Sequence, residues 1–245
     1  TWFMLPLRLI KAFWQSIRII HRVKPDVVLG MGGYPAFPGG MMASLLNKPL
    51  IIHEQNSLPG LTNKILAKLA DKILLGFPDA ILADKAKTVF SGNPVRAEIT
   101  QMEAPEKRFL GRQGKMQLLV VGGSLGAQIL NTVVPQALKL MPENIRPLVV
   151  HQTGAVHLES VGKIYADLAL EGEVLAFIDD MAKRYAICDL VLCRAGALTI
   201  AELSAAGVAS LLVPYPHAVD DHQTSNAKFL SNDGAAMLVP QNELT

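Results

Sequence analysis

The chain has 245 residues, half of them hydrophobic and 18% charged, a composition that excludes an intrinsically disordered protein. Its formal net charge of +2 gives no basis for a nucleic-acid partner, and none is expected. No apolar run reaches the roughly 18 residues of a membrane-spanning helix. One or two domains suit this length.

The first predicted element is an amphipathic helix from about Leu7 to His21. Apolar residues recur in it at steps of three and four, with Arg and Lys residues among them. Two interpretations stay open at this point. The helix either packs on an α/β domain or brings its Trp and Phe side chains to lipid headgroups at a membrane surface.

Short apolar strands then alternate with helices, a pattern typical of βαβ units and a mainly parallel sheet. A glycine- and proline-rich turn is predicted at Gly30–Gly40, and a helix over residues 61–74. The predicted strands of this half are Asp26–Gly30, Pro49–Asn56 and the strand and turn Lys87–Arg96.

Residues 97–115 are charged and polar with little periodicity, and they predict a linker between residues 1–96 and 116–245. The alternation then restarts, so the sequence predicts two successive α/β halves. The predicted strands of the second half are MQLLVVGG, RPLVVHQTG, GEVLAFID, CDLVLCRAG and ASLLVPY, and its helices are AQILNTVVPQAL, LTIAELSAAG and QTSNAKFLSNDG.

Most of the concentrated Gly, His, Asn, Gln, Asp and Arg residues lie in the turns that follow the predicted strands. Parallel sheets bind ligands beyond the carboxyl ends of their strands, so these turns are the predicted binding region. They are GMGGYP, HEQNS, GNPVR, GGSLGA, HQTG, FIDDM, CRAGALT and PYPHAVDDHQ.

The turn GGSLGA, Gly122 to Ala127, matches neither GxGxxG nor GxxxxGK[ST]. Its backbone N–H groups and the Ser124 hydroxyl can bind an anion at the start of a helix near Ala127. The alternative is a tight turn with Ser124 as the helix N-cap. Arg96 in GNPVR either pairs with a phosphate as a fork of donors or is a solvated surface residue.

The other strand-end turns carry weaker signals. Glu202 can accept hydrogen bonds from sugar hydroxyls or serve as an ordinary first-turn glutamate. His53 and Glu54 are strand neighbours on opposite faces, so one orients substrate and the other braces the turn.

Cys188 and Cys193 are interpreted as buried free thiols.

The loop PYPHAVDDHQTSNA gathers His, Asp, Gln and Asn residues. Its histidines and aspartates match no familiar spacing of metal ligands, so no metal is expected. A loop that hydrogen-bonds a polyhydroxylated ligand fits this mixture of side chains better.

Six motifs in this order closely resemble the MurG family of bacterial N-acetylglucosaminyltransferases, in glycosyltransferase family 28. The resemblance covers essentially the whole chain. The motifs are VVLGMGGYPAFPGG, HEQNSLPGLTNK, GNPVR, VVGGSLGAQILN, FIDDMAKRYAICDLVLCRAGALTIAE and DDHQTSNA.

The resemblance implies a GT-B fold, in which two Rossmann-like domains with mainly parallel sheets face each other across a cleft. Residues 1–96 would form the acceptor- and membrane-side domain, and residues 116–245 the UDP-sugar-binding domain. The implied reaction is metal-independent and needs no cofactor. It transfers N-acetylglucosamine from UDP-N-acetylglucosamine to the C4 hydroxyl of the muramyl sugar of lipid I, on undecaprenyl-pyrophosphate, with inversion.

The family's donor-binding positions carry over residue by residue. Ser124 and Arg96 match positions at the donor diphosphate, and the Ile178 backbone matches the position at the uracil ring. Gln223 matches the glutamine at the N-acetylglucosamine hydroxyls. The nucleotide-binding turn and helix start correspond to Ala197, Leu198, Thr199 and Glu202, with Glu202 on the ribose hydroxyls.

On the acceptor side Asn56 matches a cleft asparagine, and His53, Asn63 and His222 are weaker candidates. Two departures concern the donor side: Ala195 replaces a serine of the family's CRSGALT, and HAVDDHQ replaces its HKDRQQ. The first removes a hydroxyl donor near the nucleotide. The second leaves Gln223 as the sugar contact.

The family's first βα unit, with a histidine proposed as general base, is expected to precede Thr1, and its last helices to follow Thr245. The catalytic base is therefore unknown within these residues, and the activity of this part alone stays open. The resemblance implies a peripheral enzyme on the cytoplasmic face of the inner membrane, with cell-wall synthesis proteins as partners. The implied membrane-contact residues are Trp2, Phe3, Leu5, Leu9 and Trp14.

Three alternative functions remain open. One is another GT-B transferase with a nucleotide-sugar donor and a different lipid acceptor. A second is a GT-B-like UDP-N-acetylglucosamine epimerase. The third is a non-catalytic protein that binds nucleotide sugars or serves as a membrane scaffold.

Overall fold

A computed structural model describes residues 5–80 and 85–244, except for the side chains of Leu5 and Val219. The predicted membrane contacts Trp2 and Phe3 lie outside the described residues. The chain divides into two compact units, Thr1–Asn93 (unit 1) and Pro94–Thr245 (unit 2). This division falls three residues before the end predicted for the first domain.

Unit 1 contains a parallel sheet whose strands lie side by side in the order in which they occur along the chain. The centre of the sheet is apolar, with the side chains of Leu50, Ile52 and Ile73 fully buried. Its elements are α1 (Leu5–Val23), β1 (Val28–Gly30), α2 (Gly33–Leu45), β2 (Leu50–Glu54), α3 (Leu61–Leu66), β3 (Lys72–Leu75) and β4 (Thr88–Phe90).

Two predictions for unit 1 were wrong. Helix α2 begins at Gly33, inside the predicted Gly30–Gly40 turn. Pro35 is tolerated in its first turn, where the N–H groups have no partner within the helix, and Pro38 lies inside the helix. The helix predicted over residues 61–74 ends at Leu66, and its last residues belong to β3. Ile73 and Leu75 are buried, whereas Lys72 and Leu74 are less buried. This alternation at every second residue is typical of a strand.

Helix α1 has both a packed and an exposed apolar side. The Phe13 ring lies 6.0 Å from the Phe37 ring of α2, edge to face. Trp14 is exposed, with the Arg18 guanidinium 4.6 Å from its ring centroid. Leu9 is also exposed. Among the described residues, no helix combines the length and the apolar character needed to cross a bilayer.

Unit 2 contains a parallel sheet whose described strands lie in the order β10 (Ala236–Leu238), β9 (Ser210–Leu212), β8 (Leu190–Cys193), β5 (Gln117–Val121), β6 (Leu148–Gln152) and β7 (Glu173–Leu175). Its elements are α4 (Ala97–Thr100), α5 (Pro105–Arg108), β5 (Gln117–Val121), α6 (Gln128–Leu140), β6 (Leu148–Gln152), α7 (Leu158–Asp167), β7 (Glu173–Leu175), α8 (Met181–Ile187), β8 (Leu190–Cys193), α9 (Ala197–Ala206), β9 (Ser210–Leu212), α10 (His222–Ser231) and β10 (Ala236–Leu238).

The chain reverses its direction of travel across this sheet between β5 and β8. From β5 it proceeds outward through β6 to β7, and it then returns to the other side of β5 at β8. Such a reversal leaves a crevice at the carboxyl ends of the two central strands, where open α/β sheets bind their ligands. The glycine-rich turn follows β5 directly at this point.

The segment 97–115, predicted as a linker, is a structured part of unit 2. Ile99 of α4 is buried, and Arg108 of α5 donates hydrogen bonds to the carbonyl oxygens of Tyr185 (2.9 Å) and Ala206. These carbonyls lie in the last turns of α8 and α9, where backbone acceptors lack partners within their own helices. The charge that suggested a solvated linker therefore serves in part to cap two helices.

Candidate functional site

A cavity of about 920 Å³ lies at the carboxyl ends of β5, β8, β9 and β10 in unit 2. The glycine-rich turn and the start of α6 form one wall of it. The cavity is lined by residues 121–129 together with Thr132, His157, Arg194, Gly196, Thr199, Tyr215, Gln223 and Gln241.

The glycine-rich turn is shaped by backbone that only glycine adopts readily. Gly126 has φ +77°, and a Cβ atom placed on it would lie 1.9 Å from the carbonyl oxygen of Thr153. The turn thus packs directly on the end of β6. Its Gly126 N–H donates to the Gly123 carbonyl at 3.0 Å, which closes the loop.

Ser124 is exposed on this turn and does not cap α6. The N-cap position is Ala127, and no side chain makes a capping hydrogen bond there. The N-cap interpretation of Ser124 was therefore wrong. Because no side chain caps the helix, its first N–H groups and its positive dipole end are presented at the cavity wall formed by Gln128 and Ile129.

Arg194 brings a cation to the lining of the cavity. Its guanidinium donates to the carbonyl oxygens of Val213 and Pro214, both at 3.1 Å, and to Gln241 Oε1 at 2.7 Å. The guanidinium carbon lies 5.4 Å from the centroid of the Tyr215 ring. Burial lowers the pKa of Arg194 from its ordinary value.

Of the predicted donor-site residues, Ser124, Thr199 and Gln223 line this cavity. The carbonyl oxygen of the Gln223 side chain accepts the Tyr215 N–H at 2.9 Å, so its amide nitrogen is the group oriented for a ligand. Ala197 is buried and Leu198 is exposed in the first turn of α9, and neither lines the cavity.

Arg96 and Glu202 form an ion pair outside the lining of the main cavity. Arg96 Nη2 lies 3.0 Å from Glu202 Oε1, and the Tyr185 hydroxyl donates to Glu202 Oε2 at 3.3 Å. The first turn of α9 contains no acidic residue, so the interpretation of Glu202 as a first-turn glutamate was wrong. Arg96 lines a separate cavity of about 340 Å³ together with Asp179 and Asp180.

Ile178 is buried, and it lies in the loop that follows β7. Its backbone N–H donates to Gln152 Oε1 at 3.2 Å. The structure therefore places this predicted uracil-binding backbone next to the last residue of β6.

In unit 1, Glu54 braces the turn that follows β2, as one of the two roles predicted for the His53–Glu54 pair. Its carboxylate is buried and accepts hydrogen bonds from the N–H groups of Asn56 (3.0 Å) and Gly60 (3.1 Å). The same carboxylate accepts from the Asn63 side chain at 2.8 Å. Asn56 and Asn63 are thus brought together by one buried carboxylate.

His53 and His222 occupy different kinds of position. His53 is buried, with Nε2 3.0 Å from the Gly92 carbonyl oxygen in the same unit. His222 is half-buried at the first residue of α10 in unit 2.

The strongly shifted titratable groups of unit 2 belong to its core. Burial lowers the pKa of His151 to about 4, and its Nδ1 lies 3.1 Å from the Tyr165 hydroxyl. Burial raises the pKa of Cys188 and Cys193 to about 12, so these buried free thiols stay protonated at neutral pH. Among the described residues, no cluster of His, Cys, Asp and Glu could hold a metal ion.

A parallel sheet with a glycine-rich turn at its topological switch point is typical of nucleotide-binding α/β proteins. Within that class, the chain belongs to glycosyltransferase family 28, whose N-terminal domain matches residues 2–75 and whose C-terminal domain matches residues 117–245. The family predicted from the six sequence motifs is therefore confirmed.

Two curated relatives carry the name UDP-N-acetylglucosamine--N-acetylmuramyl-(pentapeptide) pyrophosphoryl-undecaprenol N-acetylglucosamine transferase. The protein of this name from Nitrosospira multiformis is 66% identical over all 245 residues, which cover 68% of that relative. The one from Nitrosomonas europaea is 61% identical over the same residues, 69% of its length.

Solved structures place the fold in the same group. The crystal structure of Acinetobacter baumannii MurG has a TM-score of 0.84 and 41% identity, covering 98% of this chain and 67% of that one. The predicted GT-B fold class is confirmed by this likeness. A UDP-GlcNAc 2-epimerase of Methanocaldococcus jannaschii has a TM-score of 0.56 at 13% identity, covering 96% of this chain and 70% of the other, and it shares the fold alone.

Proposed function

We propose that this chain transfers N-acetylglucosamine from UDP-N-acetylglucosamine to the C4 hydroxyl of the muramyl sugar of lipid I, with inversion, and so makes lipid II for peptidoglycan. The observation that carries this proposal is the 66% identity, over every residue of the chain, to a relative named for that transfer. The cavity of unit 2 supplies the chemistry that a UDP-sugar donor needs.

The donor diphosphate is proposed to lie against the glycine-rich turn. There the N–H groups at the start of α6 and the Ser124 hydroxyl can donate to phosphate oxygens. The Arg194 cation adds positive potential to the same cavity. As the bond to the sugar breaks, these preorganised dipoles and the cation stabilise the negative charge that develops on the leaving UDP. No metal ion is needed in this scheme.

The remaining donor contacts follow the family assignment. Glu202 would accept hydrogen bonds from the ribose hydroxyls, Arg96 would contact the diphosphate, and the Ile178 backbone would hold the uracil ring. Gln223 would direct its amide nitrogen to hydroxyls of the N-acetylglucosamine. In the structure Arg96 and Glu202 are paired with each other, so the donor has to replace that contact with its own.

The acceptor is proposed to bind on unit 1, where Asn56 stands on the turn braced by Glu54. His53 and Asn63 lie around the same strand end. No described side chain is assigned as the general base that takes the proton from the acceptor C4 hydroxyl.

Incubation of the protein with labelled UDP-N-acetylglucosamine and a lipid I analogue tests the proposed reaction. Label transferred to the analogue is the expected result. Epimerisation of the donor would contradict the proposal and favour the epimerase alternative. Transfer to a diacylglycerol but not to the analogue would favour a different lipid acceptor, and donor binding without turnover would favour a scaffold protein.

The exposed side of α1 is proposed to contact the cytoplasmic face of the inner membrane, where the lipid-linked acceptor resides. Leu9 and Trp14 are exposed on this helix, and Arg18 lies beside the Trp14 ring, a combination suited to the headgroup region. Cell-wall synthesis proteins are proposed as further partners, and their absence from crosslinked complexes in bacterial cells would contradict that part.

Replacing Leu9 and Trp14 together with Ser should weaken binding to anionic lipid vesicles at least about tenfold, because two apolar side chains no longer leave water. Vesicle sedimentation measures the effect. Leu140→Ser, at an exposed leucine of unit 2, is the matched control and should change nothing. Equal partitioning of the double variant and the wild type would remove the membrane proposal.

A further inference from the structure

We propose that Gln152 is a positioning residue that couples the glycine-rich turn to the backbone at Ile178, an inference that rests on the proposed donor site. Gln152 is the last residue of β6, and the residue is 2% exposed. Its Nε2 donates to the Gly123 carbonyl at 2.9 Å, while its Oε1 accepts the Ile178 N–H at 3.2 Å. One buried amide therefore joins two loops.

The sheet order explains how one side chain reaches both loops. Strand β6 pairs with β5 on one side and with β7 on the other. Gly123 follows β5, and Ile178 follows β7. A third bond strengthens the link to the turn, because the Gly122 N–H donates to the main-chain carbonyl of Gln152 at 3.3 Å.

The amide orientation of Gln152 is determined by its two partners. The carbonyl of Gly123 only accepts a hydrogen bond and the N–H of Ile178 only donates one, so a flipped amide would satisfy neither. Because the side chain is buried, an unmatched polar group there has no water to replace its partner. The Gln152 amide thus fixes the distance between the two loops, because only one orientation of it satisfies both hydrogen bonds.

This coupling matters for a ligand that touches both loops. A uridine diphosphate would place its base near Ile178 and its phosphates at the glycine-rich turn. It would bind both loops without the entropic cost of ordering them, because Gln152 already holds them in place. Uridine alone touches only one of the two. Gln152 should therefore contribute to the gain in affinity that the diphosphate adds to uridine, although it contacts neither part of the ligand itself.

Two variants separate this role from general support of the fold. Gln152→Glu keeps an acceptor for the Ile178 N–H but offers a carboxylate oxygen to the Gly123 carbonyl, so it breaks the link to the turn. Gln152→Asn keeps the amide chemistry on a side chain one methylene shorter, which cannot span both partners. Asn131→Leu is the matched control, because Asn131 is also a buried amide that braces the end of β6, through the Thr153 carbonyl at 3.1 Å.

The test compares the dissociation constants of UDP and uridine, measured by calorimetry. The ratio of the uridine dissociation constant to the UDP dissociation constant measures the affinity that the diphosphate adds. In the Gln152 variants this ratio should fall about tenfold, which is the effect of one or two lost hydrogen bonds. The dissociation constant of uridine itself should change less. Asn131→Leu should leave that ratio unchanged. A ratio unchanged in both folded Gln152 variants, or lowered equally by Asn131→Leu, would overturn the proposal.

Hydrogen exchange of the ligand-free protein keeps the inference testable apart from ligand binding. Both Gln152 variants should speed amide exchange in the segments 122–127 and 176–179 together, and Asn131→Leu should not. Independent exchange of the two segments would contradict the coupling. Absence of UDP binding by the wild-type protein would instead contradict the proposed function, while the exchange rates still decide the structural role of Gln152.

Discussion

Gly126→Ala should lower the free energy of unfolding of unit 2 by about 2–5 kcal/mol, the sum of a left-handed backbone cost and of overpacking. Gly126 has φ +77°, and its new Cβ atom would lie 1.9 Å from the Thr153 carbonyl oxygen. Backbone is the obstacle here, so no side-chain rotation can relieve the contact. The turn must move away from β6, and donor binding should be lost with it.

Gly123→Ala is the matched control in the same turn. Gly123 also has a positive φ, +84°, but no atom lies within 4 Å of an added Cβ. It should therefore cost only about 1–2 kcal/mol, the conformational part of the effect. Both tryptophans, Trp2 and Trp14, lie in unit 1, so hydrogen exchange of β5 and β6 amides in urea is the suitable measure for unit 2. Equal losses of unfolding free energy in both variants would show that the contact with Thr153 does not determine the conformation of the turn.

Arg96→Ala and Glu202→Ala should each weaken UDP-N-acetylglucosamine binding by about 1–3 kcal/mol, as expected for lost charged hydrogen bonds. The ion pair between them contributes little by itself, because the Arg96 side chain is 48% exposed and solvent screens the interaction. A donor that takes both groups as its own partners therefore displaces a weak contact. The losses should be measured by calorimetry with the intact donor.

The two variants should differ in their effect on stability. Glu202→Ala leaves the hydroxyl of Tyr185, a fully buried side chain, without its acceptor, so it should also destabilise unit 2. Arg96→Ala leaves no such buried group. Arg184→Ala is the control for a partly exposed, paired arginine, since Arg184 forms a two-pronged ion pair with Glu173 at 2.7 Å. If neither Arg96→Ala nor Glu202→Ala weakens binding, or if Arg184→Ala weakens it as much as they do, the donor-site assignment is wrong.

The alternation of strands and helices made the fold predictable from the sequence, and the strand-end turns made much of the site predictable. The glycine-rich turn, Thr199 and Gln223 do line one cavity, because the carboxyl ends of parallel strands meet at one edge of the sheet. The helix predicted over residues 61–74 failed because short apolar runs fit both a helix and a strand.

Other features depend on contacts between distant residues. Gln241 reaches Arg194 only because it follows β10, a three-residue strand that the sequence did not predict. Arg96 and Glu202 stand 106 positions apart, and no local pattern relates them. The buried bonds of Gln152 likewise follow from strand order, which periodicity does not reveal. Arg194 did have a local signal, since it lies in the strand-end turn CRAGALT of the predicted binding region.

The location of bound UDP-N-acetylglucosamine tests the central claim most directly. A crystal structure of the protein with this donor should place the diphosphate oxygens within hydrogen-bonding distance of the N–H groups between Gly123 and Ile129, with Arg96 and Glu202 separated from each other. A diphosphate bound elsewhere on unit 2, with the turn unoccupied and the Arg96–Glu202 pair intact, would contradict it.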